Sequence, residues 1–338
     1  MPVNPRVSLA AVLPGPEARV PSPEYNPPMR TVIAGGSGFL GQALAGALAN
    51  AGHRVQILTR RLPEPPPAGD VAPFQFVTWT PDGTANGSWT SPCAGADLIV
   101  NLAGASIGER RWSPARKAEL RGSRIYATRS IARFIAEAEQ PPAAFISASA
   151  VGIYGDRGAE KLTEDAGPGQ GFLGELAVEW EREAMAAESA RTRVVLLRTG
   201  IVLDPLEGAL AKMIPPFQRY AGGPFGSGRQ YMSWIHRDDW VSLAKWAVET
   251  PALRGPLNLT APNPVANADF ADALGRALNR PAIVPAPGFA LKLILGEMAG
   301  PLLLHSQRAV PARALAGGFR FAFPELQSAL ADLLGKRL

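Results

Sequence analysis

One cysteine, three histidines and no long apolar run set the first limits on this chain of 338 residues. Cys93, standing alone, can close no internal disulfide and supply no cysteine-based zinc site. His53, His236 and His305 are too scattered for a histidine metal cluster, so no metal is expected. The longest C-terminal apolar stretch, 291–304, is broken by Lys292, Glu297 and Pro301 and is too short to span a bilayer. Near the N-terminus the apolar stretch 9–13 is shorter than a signal-peptide core and ends at Pro14. The net charge is only +5, and the basic residues follow no recognition motif, so neither a nucleic acid nor a membrane is expected as a partner. With 46% hydrophobic and 19% charged residues, the composition is that of an ordinary globular protein, read as soluble and cytoplasmic.

What is present is a strand–helix alternation. Residues 1–28 hold eight prolines without periodicity and read as a disordered arm; Met29, directly before the first strand, could be the natural start. Strands are predicted at 31–34, 55–58, 74–78, 98–101, 144–149 and 194–198, with helices at 40–51, 113–138 and 173–189 between them. The Pro/Gly-rich stretch 63–69 reads as a surface connection. Such alternation argues for an α/β fold: a Rossmann-like, doubly wound parallel sheet. The rhythm breaks after Gly200, where helices are predicted at 209–214, 268–279, 289–298 and 324–334 among proline- and glycine-rich turns. The expected domains are a dinucleotide-binding unit over 29–204, with 229–260 contributing, and a smaller C-terminal substrate lobe from 205–228 and 261–338.

The turn after the first strand carries the chemistry. Gly35-Gly36-Ser37-Gly38-Phe39-Leu40-Gly41 spaces its glycines G-x-x-G-x-x-G between a strand and a helix start. A tight turn needs a residue without Cβ, the backbone must approach a pyrophosphate, and the helix N-terminus offers free N–H groups and partial positive charge. The second strand ends in Thr59-Arg60-Arg61, without the carboxylate that would bind a ribose 2′-hydroxyl. A guanidinium at Arg60 suits a 2′-phosphate instead, which selects NADP(H). Leu102-Ala103-Gly104 closes the fourth strand with small residues that let the backbone pass close to the cofactor.

Together with Ser147-Ala148-Ser149 and Ile235-His236-Arg237-Asp238-Asp239, these motifs resemble the extended short-chain dehydrogenase/reductases of the sugar-nucleotide epimerase/dehydratase group. Arg110-Arg111-Trp112-Ser113, Ser123-Arg124, the stretch from Ser147 to Asp156, the glycine-rich stretch from Gly222 to Gly228, and Trp234-Ile235-His236 narrow the resemblance. It is to an atypical branch known as epimerase family proteins or SulA-type, cell-division-inhibitor-like proteins, with a small uncharacterised C-terminal domain, and covers residues 29–336. The resemblance implies cofactor contacts from Gly35, Gly38, Gly41, Thr59, Arg60, Leu102 and Ala103. It also implies one from Arg124, which stands where ordinary epimerases have an asparagine, and points more weakly to Glu119 one helical turn earlier.

Short-chain reductases move a proton with a Tyr-x-x-x-Lys pair, and this chain lacks one. The residues four positions after Tyr25, Tyr126, Tyr154, Tyr220 and Tyr231 are Met29, Ser130, Gly158, Pro224 and Ile235. On the helix that should carry the pair, the two positions hold Gly171 and Glu175, or Phe172 and Leu176. Three catalytic candidates remain: Ser149 as the carbonyl-polarising serine, Tyr154 on the next loop, and Glu175 as an acid/base if buried beside the nicotinamide. Two functions follow. One is an NADP(H)-dependent epimerase or reductase with non-standard residues, acting on a carbonyl or sugar-nucleotide-like small molecule. The other is a non-catalytic NADP(H)-binding regulator or sensor linked to cell division, for which a protein partner or a homodimer is expected.

Overall fold

The computed structural model describes residues 28–63 and 74–335. The expected N-terminal arm lies outside the described residues except for Pro28, as does the 63–69 connection except for Pro63. A seven-stranded parallel sheet forms the centre, from β1 (Arg30–Ala34), β2 (Arg54–Thr59), β3 (Gln75–Thr78), β4 (Leu98–Asn101), β5 (Ala144–Ala150), β6 (Arg193–Thr199) and β7 (Gly255–Leu259). Their spatial order is β7-β6-β5-β4-β1-β2-β3. The winding reverses between β1 and β4, and the ends of those two strands flank the crevice where ligands of such sheets sit.

Alternation along each buried strand feeds two cores. Ile33, Ile57, Val100, Ile146 and Leu197 face one side, under α1 (Phe39–Asn50) and a helix over Arg237–Glu249. Val32, Leu58, Ile99, Phe145 and Leu196 face the other, under α2 (Pro114–Glu137). A second element on that side, α3 (Phe172–Met185), packs along α2. Ser113 caps α2 by accepting the Arg116 N–H at 3.1 Å, and Pro114 occupies the first turn, where it forfeits no intrahelical bond.

The two longest sheet-domain elements absent from the sequence reading are a strand and a helix. β7 reads Gly-Pro-Leu-Asn-Leu, a poor strand pattern that survives at the sheet edge, where Pro256 costs least. The helix Arg237–Glu249 starts at the cap His236 and buries Trp240, Leu243, Ala244 and Ala247 at helical spacing. One helix runs past its expected end. Gly208–Gln218 continues through Pro215 and Pro216, whose fixed φ suits a last turn, and Arg219 N–H takes up both proline carbonyls.

The C-terminal segments build a third core, in which Leu210, Phe217, Trp234, Phe270, Leu274 and Leu330 meet. A separate strand pair, Arg308–Ala309 beside Lys161–Leu162, ties this region to the loop after β5. Residues 295–302 also pack onto the loop after β4, through Leu295, Met298 and Leu302 against Ile107 and Trp112. Among the described residues no helix is long and apolar enough to cross a membrane.

Candidate functional site

The glycine turn and the end of β4 are built against each other. Gly35 has φ +77°, and a Cβ there would lie 2.7 Å from the Leu102 carbonyl carbon and 2.8 Å from the Ala103 nitrogen. A Cβ on Gly41 would overlap the Gly35 carbonyl oxygen and come within 2.7 Å of Gly36 Cα; one on Gly36 would meet Ile57 at 2.9 Å. Only glycine permits this closeness. Gly38 serves the turn by donating to the Gly35 carbonyl at 3.1 Å, and it starts α1. No side chain caps α1 and no acid stands in its first turn, so the N–H groups of Phe39, Leu40 and Gly41 stay open to an anion.

Opposite, Asn101 holds the second edge. Its Oδ1 accepts the Ala103 N–H at 3.1 Å, and its Nδ2 donates to Thr128 Oγ1 at 2.8 Å. Ser123 Oγ accepts the Ala105 N–H at 3.0 Å and fixes the chain beyond Gly104. The Thr59 hydroxyl donates to the Arg61 carbonyl at 2.8 Å, so it shapes the bend that carries Arg60 instead of reaching into the crevice. Arg60 itself is exposed and has no carboxylate partner among the described residues.

A cavity of about 310 Å³ opens beside these edges. Leu173, Leu176, Ala177 and Trp180 of α3 form one wall; Met213, Phe225, Met232 and Leu302 form another. Polar groups on its lining include Arg124, Ser149, Gln230, Tyr231, His305 and Gln307. Its size is at the low end for a small-molecule site, and its walls are largely apolar, as such sites usually are.

Arg124 is the informative cation. Its guanidinium lies 5.2 Å from the Trp180 ring centroid, and Nη1 donates to the Leu120 carbonyl at 3.1 Å. A Cβ on Gly104 would come within 3.2 Å of its Cζ, so the arginine roofs the turn after β4. No carboxylate pairs with it among the described residues. Burial, with a smaller contribution from the charge of Arg116, brings its pKa down to about 10.

The three catalytic candidates fare differently. Ser149 does line the cavity, but its hydroxyl donates to Glu181 Oε1 at 2.6 Å. Arg198 Nε reaches the same oxygen at 2.8 Å, and Nη2 reaches Oε2 at 2.9 Å. Burial alone would disfavour the Arg198 charge, yet the bonds and charge of Glu181 outweigh it and push the pKa up. Tyr154 is corrected to a buried structural residue. A short helical turn over Val151–Tyr154 rotates its ring inward, its hydroxyl donates to Asn258 Oδ1 at 2.7 Å, and burial raises its pKa. Glu175 is corrected too: it is exposed at the start of α3 and borders no part of the cavity, because the inward positions are Leu173, Leu176 and Ala177. Glu119 is likewise an exposed organiser of the loop after β4, bonded to Arg110 at 2.5 Å and Arg116 at 2.7 Å, and not a cavity residue.

Glu181 and Arg198 were missed by the sequence reading. The signal was Arg198 itself, a charge closing the apolar run of β6, which cannot be buried without a partner. Register places it directly beside Ser149 on the neighbouring strand, and α3 covers that face. His236, expected to order a turn, caps its helix: Nδ1 accepts the Asp238 N–H at 3.1 Å while the ring stacks on Phe323 at 3.9 Å.

Comparison with known proteins places this geometry among relatives. Residues 31–259 match the model of the NAD dependent epimerase/dehydratase family, and residues 286–333 match a domain of unknown function (DUF1731). An epimerase family protein of Mycobacterium leprae is 42% identical over 300 residues, covering 88% of this chain and 94% of its own. The Bacillus subtilis epimerase family protein YfhF is 39% identical over 310 residues, covering 91% and 99%. Among solved structures, the human epimerase family protein SDR39U1, crystallised with NADPH, superposes with a TM-score of 0.80 at 34% identity, covering 92% of this chain and 100% of that one.

Proposed function

Because the chain belongs to the NAD dependent epimerase/dehydratase family, we propose that it binds NADP(H) across the crevice between β1 and β4 and presents it to a small molecule in the adjoining cavity. The observation that carries this reading is the glycine turn closed on Leu102 and Ala103, whose contacts leave no room for a Cβ at Gly35 or Gly41. The open N–H groups of α1 suit the pyrophosphate, and Arg60, with no carboxylate partner among the described residues, suits a 2′-phosphate. The human relative crystallised with NADPH supports the same choice. When bound, the nicotinamide would supply or accept a hydride. The chain's part is to hold it, to exclude water with the apolar walls, and to orient a carbonyl or sugar-nucleotide-like ligand between α3 and the C-terminal segments.

A second reading, an NADP(H)-binding regulator without turnover, is favoured by one feature. The wall that α3 turns to the cavity carries no ionisable group, and the Ser149 proton is committed to Glu181. The link to cell division implied by the SulA-type resemblance belongs with this reading. Titration with both cofactors tests the shared part: NADPH should bind more tightly than NADH, and equal affinities would refute the assignment. Stereospecifically deuterated NADPH, incubated with a carbonyl and sugar-nucleotide panel, separates the readings, since the regulator predicts that label never leaves the cofactor.

A further inference from the structure

Two groups on the cavity wall define what it can hold. The first is Arg124, whose guanidinium is half-buried between Trp180 and the turn at Gly104. Its single described hydrogen bond goes to the Leu120 carbonyl, and the charge that acts on it, Arg116, is another cation. A charge drawn partly out of water with no counter-ion among the described residues is costly, and an arginine so placed suits a carboxylate, which it can grip with two parallel bonds. The second is Ser149. Glu181 is fixed as a carboxylate by two bonds from Arg198, and a carboxylate can only accept, so Ser149 must spend its single proton there. Its oxygen therefore faces the cavity with lone pairs alone. A carbonyl oxygen finds no donor at that point, whereas a hydroxyl or amide N–H finds an acceptor.

We propose that the cavity recognises a small organic anion with an apolar body, its carboxylate on Arg124 and a hydroxyl or N–H donor on Ser149, in the manner of a medium-chain hydroxy acid. The body would lie against Leu173, Leu176, Trp180, Met213, Met232 and Leu302. The inference rests on the reading of the crevice as the NADP(H) site and names the ligand class of the adjoining cavity. It reverses the role expected of Ser149, from polarising a carbonyl to accepting from an alcohol, and it gives Arg124 to the ligand instead of the cofactor.

The test is calorimetric titration of the full chain saturated with NADPH. Probes are α- and β-hydroxyhexanoate, the matching oxo acids and the neutral hexanols. The best hydroxy acid should bind at least about tenfold more tightly than its neutral alcohol, about 1.4 kcal/mol, and severalfold more tightly than its oxo acid. Arg124→Gln should erase the first preference, Arg124→Lys should retain part of it, and Ser149→Ala should erase the second. The affinity of NADPH, measured separately, should stay within about threefold in the Arg124 variants, since the cofactor is held elsewhere. Three results would overturn the proposal: no probe binds, alcohols or oxo acids bind as well as hydroxy acids, or Arg124→Gln weakens NADPH and leaves the probes alone. Failure of NADPH itself to bind the native chain would instead sink the cofactor reading. Circular dichroism of each variant shows that the fold is retained, and the Arg124→Lys rescue separates lost charge from lost packing on Trp180.

Discussion

Replacing Glu181 by leucine should destabilise this protein more than replacing both Glu181 and Arg198 by apolar residues. Each side of the pair is 8% exposed, and three bonds of 2.6 to 2.9 Å converge on the Glu181 carboxylate from Ser149 and Arg198. Glu181→Leu strips Nε and Nη2 of Arg198 of their partner and leaves Nη1 with the Tyr154 hydroxyl and the Glu164 carbonyl, each at 3.0 Å. An uncompensated buried guanidinium costs about 3–5 kcal/mol. Glu181→Leu with Arg198→Met removes both charges and should cost about 1–2 kcal/mol, the residue being the Tyr154, Ser149 and Glu164 groups left without that partner. The second substitution should therefore recover about 1–4 kcal/mol of what the first costs, and Arg198→Met alone, which leaves the Glu181 carboxylate buried and unpaired, should cost about as much as Glu181→Leu. Guanidinium unfolding followed by fluorescence and circular dichroism yields all three values, with agreement of the probes confirming a two-state transition. Additive costs, or a Glu181→Leu variant within about 1 kcal/mol of the native chain, would refute the idea that this ion pair is dry and mutually dependent.

Four further outcomes follow from the same geometry. Gly41→Ala should lower NADPH affinity by at least about tenfold and destabilise by about 1–3 kcal/mol through overpacking, whereas Arg60→Ala should leave stability unchanged, erase most of the preference for NADPH over NADH and leave NADH affinity intact; fluorescence titration reads both. Burial pushes the Cys93 thiol up to about 12, so iodoacetamide at neutral pH should label it only as the chain opens, and rapid labelling of the native protein would contradict its burial. Burial lowers the pKa of His236 and His53 below 6.5, and each ring nitrogen Nδ1 accepts a backbone N–H, from Asp238 and Met29 respectively. The folded state thus binds fewer protons than the unfolded one just below pH 6.5, so stability is full above that pH and falls below it, by at most about 1.4 kcal/mol per pH unit and histidine; His236→Asn, which keeps a capping acceptor, should flatten the slope of unfolding midpoints between acidic and neutral pH.

The glycine turn was legible because its causes are local. Strand, turn and helix start occupy one short stretch, and the steric demand falls on the glycines themselves. The position of Arg60, directly after β2 and beside β1, was legible for the same reason, since strand order alone sets it. The Ser149–Glu181–Arg198 cluster was not, because it depends on a register between β5 and β6 and on how α3 docks over them. Tyr154 was misread because a strand end says nothing about which way the next turn rotates, and here the turn buries the ring. The helix after His236 could have been read from its cap, its acidic first turn and its Trp240, Leu243, Ala244 and Ala247 spacing. Its omission came from following the strand rhythm, which fades where β7 is built from glycine, proline and asparagine.

The absent Tyr-x-x-x-Lys pair and the presence of Glu181 have one physical connection. α3 turns Leu173, Leu176, Ala177 and Trp180 toward the cavity and sends its one inward carboxylate, Glu181, behind Ser149 to Arg198. A tyrosine activated by a neighbouring lysine would need a wet, cationic stretch of that wall, and nothing on it stabilises such a charge. The other polar groups at the cavity come from elsewhere: Arg124 from α2, Thr199 from the end of β6, and Gln230, Tyr231, Ser233, Asn267, His305 and Gln307 from the segments that close over the sheet. A proton that moves with a hydride would then pass through Arg124, those later segments or the ligand's own groups. A variant series through Tyr231, His305 and Gln307 is where a catalytic defect should be sought, and α3 is where it should not.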